Sequence, residues 1–317
     1  MTSTWAAPDA RAPQPERAPA MPESPVPAPT GGPEVSQATD PPDLPPVPVP
    51  LGPLTVPDLL DGAFAILKRR PRDVLTIAAV LVIPVEVLSA FLLRDLLDAG
   101  AFAGAGDPTS LLSTGEDGEV VGAGAALVSV AVGTVSLVLL AGALGVLVDG
   151  WYRGRHVGPG EAVGAALRWS PALLVGTVLV HLLQGVGLLA FGVGAYVMMA
   201  LCHVVAPAVT VERLGPLASI RRSVQLTRRR IGPTLVVPAL VGAVGMVVSF
   251  GFQSVPELAA TFTPDDWDWL VRSAGQLASQ LVVVPFTAGV AVLYHLDLRI
   301  RTEALDIDLR SRELLAA

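Results

Sequence analysis

The sequence predicts an all-α polytopic membrane protein: six transmembrane helices arranged as three hairpins, each preceded by a cytoplasmic amphipathic helix. Three observations predict it. The chain is 52% hydrophobic and only 15% charged, against about 25% charged for a typical soluble protein. Its apolar residues gather into runs long enough to cross a bilayer. The connections between those runs alternate between arginine-bearing and acid-bearing. A β-barrel is excluded, because barrel strands alternate apolar and polar at every second residue over about ten residues. These runs are apolar on every side.

Residues 1–50 hold 15 of the 29 prolines and a single aromatic, Trp5. Such a segment cannot bury enough apolar area to offset its ordering entropy, so it is expected to be a disordered cytoplasmic tail. It could also present a ligand to a proline-binding module. The first twenty residues lack the apolar stretch of about 7–15 residues that a cleavable secretory signal needs.

The transmembrane domain is expected over 51–296, with spans near 74–93, 122–148, 171–191, 195–211, 232–254 and 273–295. The first contains Glu86 as its only charge. The uncharged run from Pro171 to Val211 has 41 residues. As one helix it would extend about 60 Å, twice the hydrocarbon thickness, so it must fold back. Gly192 and Gly194 mark the expected turn. Thr263-Pro264-Asp265-Asp266 reads as the start of a short interfacial helix leading into span six. Residues 297–317 are expected to form a separate cytoplasmic amphipathic helix, with Leu298, Leu305 and Leu309 on one face.

Charge fixes the expected orientation. Cytoplasmic loops carry the excess of Lys and Arg. Seventeen of the 21 basic residues stand in alternate connections, namely those before span one, between two and three, between four and five, and after six. The opposite connections hold Asp95, Asp98, Asp107, Glu116, Asp117, Glu119, Glu257, Asp265, Asp266 and Asp268. Both termini are therefore expected in the cytoplasm of a multi-pass plasma-membrane protein. Trp151, Tyr152, Trp169 and Tyr294 would lie at the inner interface, Trp267 and Trp269 at the outer one.

A repeat runs through the cytoplasmic segments. Leu51-Gly52-Pro53, Val157-Gly158-Pro159 and Leu214-Gly215-Pro216 each open a short arginine-bearing stretch that reaches Pro71, Pro171 or Pro233 at the mouth of a span. In the first, Leu59, Leu60, Ala63, Phe64 and Leu67 share a helical face, with Thr55 as N-cap and Pro57 in the first turn. The apolar stripes are expected in the headgroup boundary. There the arginines Arg69, Arg70, Arg221, Arg222, Arg228, Arg229 and Arg230 would reach anionic lipid phosphates or serve only as topology anchors. Within the spans Ala141, Gly142 and Gly145, the Gly242/Gly245 pair and the Gly185/Gly187 pair are small enough for close helix approach.

Chemistry has few places to sit. Glu86 lies about mid-span, two residues after Pro84; His181, with Gln184 one turn on, and His203 lie at similar depth in spans three and four. A charged side chain there costs about 2.5–3.5 kcal/mol. Glu86, His181, Gln184 and His203 are therefore candidates for one polar cluster between helices, either a relay or a satisfied buried pair that locks helix register. There is no HExxH, no CxxC and no phosphate-cradling glycine loop. The lone Cys202 allows no intrachain disulfide. No catalytic constellation, metal site or cofactor is expected.

Three stretches, LGPLTVPDLLDGAFAILKRRPRDVL, APAVTVERLGPLASIRRSVQLTRRRIGP and PFTAGVAVLYHLDLRIRTEALDIDL, resemble an uncharacterised actinobacterial integral membrane protein family related to the membrane domain of glycerophosphoryl diester phosphodiesterases. Glu212-Arg213-Leu214-Gly215-Pro216, Arg222-Ser223 and Asp297-Leu298-Arg299 carry the resemblance. It implies six spans and a lipid-adjacent setting, and carries over no activity, because the catalytic barrel of those enzymes has no counterpart here. The expectation is a non-enzymatic accessory or scaffold in envelope or lipid biology. Its partners would be anionic lipid headgroups on the cytoplasmic side and proteins meeting the Pro-rich tail or the C-terminal helix; nucleic acid is not among them. The alternative is a small transporter or channel working through the mid-membrane cluster.

Overall fold

Thr55 stands in extended backbone at the start of the first helix. Its hydroxyl accepts from the Asp58 N–H at 3.4 Å while the Asp58 carboxylate accepts from the Thr55 N–H at 2.8 Å. This reciprocal box, with Pro57 in the first turn, starts α1 (Val56–Arg69) as expected. Pro71 then disfavours helical backbone at Arg70 (φ −133°, ψ 61°) and separates α1 from α2 (Pro71–Asp98). The computed structural model describes residues 49, 52–98, 118–307 and 311. The expected disordered tail, the acidic Asp107, Glu116 and Asp117, and Leu309, Arg310 and Arg312 lie outside the described residues.

Beyond α2 come α3 (Gly118–Tyr152), α4 (Pro159–Leu188), α5 (Val193–Leu201), α6 (Val205–Val211), α7 (Pro216–Thr227), a 3₁₀ turn (Arg228–Arg230), α8 (Ile231–Ala260) and α9 (Asp265–Glu303). No strand occurs among the described residues. Six helical segments are long and apolar enough to cross a membrane, and the fold is a polytopic all-α bundle. Its centre is α3 and α9. In α9 61% of the apolar window is buried inside the bundle, against 11% in α4 and 22% in α8. The last two present their leucines, valines and phenylalanines outward, and in a lipid solvent such faces need no protein partner.

Several expectations are corrected by the helix ends. The span expected over 195–211 is present as Val193–Val211, but its helix is interrupted at Cys202–Val204 between α5 and α6. Pro207 explains it, since it lacks the N–H that would bond the His203 carbonyl and its ring clashes with that carbonyl. The hairpin turn comes where Gly192 stands, at φ 77°, in the left-handed region that glycine enters without penalty. The boundary expected at 297 shifts: α9 runs unbroken from Asp265 to Glu303, absorbing both the interfacial helix expected before span six and residues 297–303, and after Ala304 the chain is helical again over 305–307. The second repeat unit is likewise fused into α4 straight through Pro171. Ser170 Oγ donates to the Leu167 carbonyl at 2.8 Å, replacing the donor that Pro171 lacks. Units one and three do break, at Arg70 and at Arg230, and with nearly the same backbone (φ −139°, ψ 56° at Arg230).

Nor do the amphipathic helices lie on the surface by their apolar stripes. Leu59, Gly62, Ala63 and Ile66 of α1 are buried, and Ala63 packs on Gly289 of α9 while Phe64 meets the Phe286 ring at a centroid distance of 4.6 Å. α7 turns its hydroxyls inward: Ser219, Ser223 and Thr227 are buried, and Leu217 is exposed. Trp151, Tyr152 and Tyr294, expected as interface aromatics, are buried too. The two tyrosines sit inside because their hydroxyls find partners, the Val49 carbonyl for Tyr152 and Thr234 Oγ1 for Tyr294.

Small residues bring some helices together and not others. A side chain at Gly142 would lie 3.0 Å from Thr210 Cγ2, and one at Gly145 3.2 Å from Val211 Cγ2, so these two glycines admit α6 against α3. Gly187 serves the tight α4–α5 turn. Gly185 and Gly242 face open space, so neither supports the close approach expected of it. A feature absent from the expectations joins α8 to α9. Reading toward the arginine-rich end, Glu257 pairs with Arg272, Gln253 with Gln276 at 3.0 Å, Ser249 with Ser279 at 2.9 Å and Thr234 with Tyr294 at 2.6 Å. The pairs step by whole helical turns along one face of the antiparallel hairpin and fix its register.

Candidate functional site

At the arginine-rich end, residues from five parts of the chain form two bonded networks. The first centres on Glu212, at the end of α6. Its Oε1 stands 2.8 Å from His295 Nε2 of α9, and its Oε2 accepts from Arg222 Nε of α7 at 2.7 Å. Arg222 also bonds Glu303, which accepts from Arg299 Nε at 3.1 Å. Burial works against the charge on Glu212, but the bonds from His295 and Arg222 outweigh it and hold its pKa down at about 2. Arg213, next along, is in left-handed backbone (φ 56°) and turns the chain sharply from α6 toward α7.

The second centre is Asp297, 1% exposed. Its Oδ1 accepts from the Leu54 backbone N–H and from Arg301 Nε, both at 2.7 Å, and its Oδ2 lies 3.7 Å from Arg230 Nη1. Arg301 reaches on to the Leu54 carbonyl at 2.7 Å. Asp297 thus ties the segment before α1, the turn before α8 and the end of α9 to a single carboxylate. Buried charges are tolerated when paired and hydrogen-bonded in this way.

The same end repairs the broken span. Leu201, last residue of α5, loses its helical donor at the break; its carbonyl accepts from Ser223 Oγ at 2.6 Å and from Thr227 Oγ1 at 3.1 Å. This is why α7 turns hydroxyls inward. Beside it lies a cavity of about 260 Å³, lined by Arg222, Gln225, Leu226, Arg228, Arg229, Thr302 and Glu303.

The expected basic residues divide by environment. Arg70 bonds Asp73 at 3.0 Å and lies over the Trp151 ring, Arg222 and Arg230 hold the network carboxylates, and Arg69 has an interaction partner. Arg221, Arg228 and Arg229 are exposed and have no carboxylate partner among the described residues.

The mid-membrane candidates do not come together by hydrogen bonding. Glu86 is buried with Oε1 unpartnered, His181 has both ring nitrogens buried and unpartnered, and His203 Nε2 is in the same state; no bond joins these residues to one another or to Gln184. Helix depth was a common property of the four, but depth leaves the direction around each helix axis undetermined. Sequence reasoning missed Glu212, His295 and Asp297 as a site, because charges at span ends read first as topology anchors. The signal that could have found them is an ionisable residue placed inside the apolar run's last turn, as His295 is.

The chain was compared with family models, with curated proteins and with solved structures, and none of the three comparisons gave a match.

Proposed function

We propose that this chain is a non-enzymatic accessory or scaffold protein in envelope or lipid biology. It resides in the cell membrane with both termini cytoplasmic and its arginine-rich end against anionic headgroups. The observation that supports this reading is the division of polar groups: the charged side chains that bond one another stand at the helix ends, most of them at the arginine-rich end, while Glu86, His181 and His203 bond nothing in common. A translocation path or a catalytic centre needs converging polar groups. The resemblance of the Glu212–Pro216, Arg222-Ser223 and Asp297–Arg299 stretches to a lipid-adjacent family agrees with the same setting.

A small transporter or channel is the second reading, favoured by the buried unpartnered polar atoms themselves. One experiment separates the two. The full chain is reconstituted in liposomes with a pH-sensitive dye inside, and a proton gradient is imposed. The scaffold reading expects flux no faster than in protein-free vesicles. Flux that disappears in Glu86→Gln or His203→Ala would replace it by the transport reading. Orientation is tested in a Cys202→Ser background with single cysteines at Arg229 and Asp268. An impermeant maleimide applied to intact cells should modify the second only.

A further inference from the structure

The cavity beside α7 holds a charge imbalance that the fold does not use. Among its lining side chains Arg222 and Glu303 neutralise each other. Arg228 and Arg229 remain, exposed and without a carboxylate partner among the described residues. The Gln225 side-chain amide carries no hydrogen bond of its own among those residues either, and Arg222 has donors left over, since its two bonds engage only Nε and one terminal nitrogen. Thr302 is already committed, its hydroxyl donating to the Leu298 carbonyl at 2.7 Å. The cavity therefore offers two uncompensated guanidinium forks and neutral donors facing one space. That is the donor set of a phosphate, whose oxygens take guanidinium forks bidentately.

Place and size select which phosphate. The volume of about 260 Å³ is at the lower edge of small-molecule pockets, roughly 300–1,000 Å³, enough for a headgroup and not for a whole lipid. The two arginines belong to the 3₁₀ turn that leads straight into α8, where Val236 and Leu240, one turn apart on a single face, are both exposed. A ligand with its anion in the cavity would lay its chains along that face. We infer that the cavity formed by α7, the Arg228–Arg230 turn and the end of α9 binds the phosphate of an anionic phospholipid, held by Arg228 and Arg229. This deepens the lipid-facing part of the proposed function and rests on it.

The test uses the full chain in mild detergent, titrated with a short-chain phosphatidic acid, a short-chain phosphatidylcholine and inorganic phosphate, each complex being read by native mass spectrometry. Phosphatidic acid is expected to bind in preference to both other probes. Arg228→Ala and Arg229→Ala should each raise its Kd about ten-fold, the usual effect of losing one charge-assisted contact. Arg221→Ala removes an equally exposed arginine that does not line the cavity and should change Kd less than about two-fold. All three arginines are exposed and without a carboxylate partner, so the variants retain the fold and can be compared directly. Equal binding of phosphatidylcholine, or no binding of phosphatidic acid, would overturn the inference. Inorganic phosphate binding as tightly as the lipid would show that a free anion is the ligand, and that also overturns it. So would an Arg221→Ala loss as large as that of Arg228→Ala. Proton flux in the liposome experiment would remove the scaffold reading and leave this titration as it stands, so the two failures are distinguishable.

Discussion

At one end of the bundle Asp297 accepts from a backbone N–H and from Arg301, with Arg230 beside it. Further along the membrane-crossing helices Glu86 is also buried, yet has an oxygen that nothing meets. Both are carboxylates on long apolar helices. The difference is that Asp297 lies where separate chain segments converge, each bringing a donor, and no donor among the described residues reaches Glu86 Oε1. Charged chemistry in this fold is organised where the helices end, and among the described residues only neutral pairs such as Ser249–Ser279 and Gln253–Gln276 bond within the spans. A lone polar group inside the span is a burden on the fold, and a paired one at the end is a joint.

That comparison can be broken by substitution. The largest effect is expected at Asp297. Asp297→Ala leaves Arg301, Arg230 and the Leu54 N–H without their acceptor, and breaking a buried pair typically costs about 3–5 kcal/mol. Unfolding in detergent should record that loss, and hydrogen exchange should rise first at the segment before α1, which Asp297 holds through Leu54.

Glu212→Ala comes next, at about 2–4 kcal/mol, and its effect depends on pH. The folded pKa of about 2 lies below the ordinary glutamate value of about 4.3. A depressed pKa contributes stability that is fully present above the unfolded value and is lost as pH falls through the folded one. The difference in Tm between wild type and Glu212→Gln should therefore be constant above about pH 5 and close as pH approaches 2. A difference that does not vary with pH would detach Glu212 from its partners.

Smaller still is the repair of the broken span. Ser223→Ala removes one of two donors to the Leu201 carbonyl and should cost about 0.5–1.5 kcal/mol. The double change with Thr227→Ala orphans that carbonyl and should cost about 1–3 kcal/mol more than Ser223→Ala alone. If the double change costs no more than the single one, the break is not held by α7. The smallest effect is expected at Ala304, which ends α9 in left-handed backbone (φ 53°). Ala304→Gly should raise stability by up to about 1 kcal/mol in a Tm comparison.

How much of this was legible depends on which interaction is being read. The uncharged runs and the alternating connections made six crossings legible, because transfer into lipid acts on each residue almost independently. The break at Cys202–Val204 was legible in principle, in Pro207, but an apolar run conceals it from a reading by hydropathy, which carries no information about missing N–H donors. The fusion of α4 through Pro171 was harder, since it turns on one serine hydroxyl that could as well have faced lipid. The pairing of Glu212 with His295 and of Leu54 with Asp297 spans 83 and 243 positions and depends on how α1, α7 and α9 dock. The charges themselves stood in plain view at the span ends, where the positive-inside pattern already explained them. The four mid-membrane candidates failed to meet by hydrogen bonds for the converse reason: equal depth is one coordinate of a position that needs three.

The most direct test of the contrast is the unfolding free energy of Glu86→Leu in the same detergent. If Glu86 holds nothing, exchanging it for an apolar side chain of similar size leaves stability unchanged or raises it, by about 1–3 kcal/mol. A loss comparable to that of Asp297→Ala would mean that Glu86 has a bonded partner after all, and that paired charge reaches into the membrane.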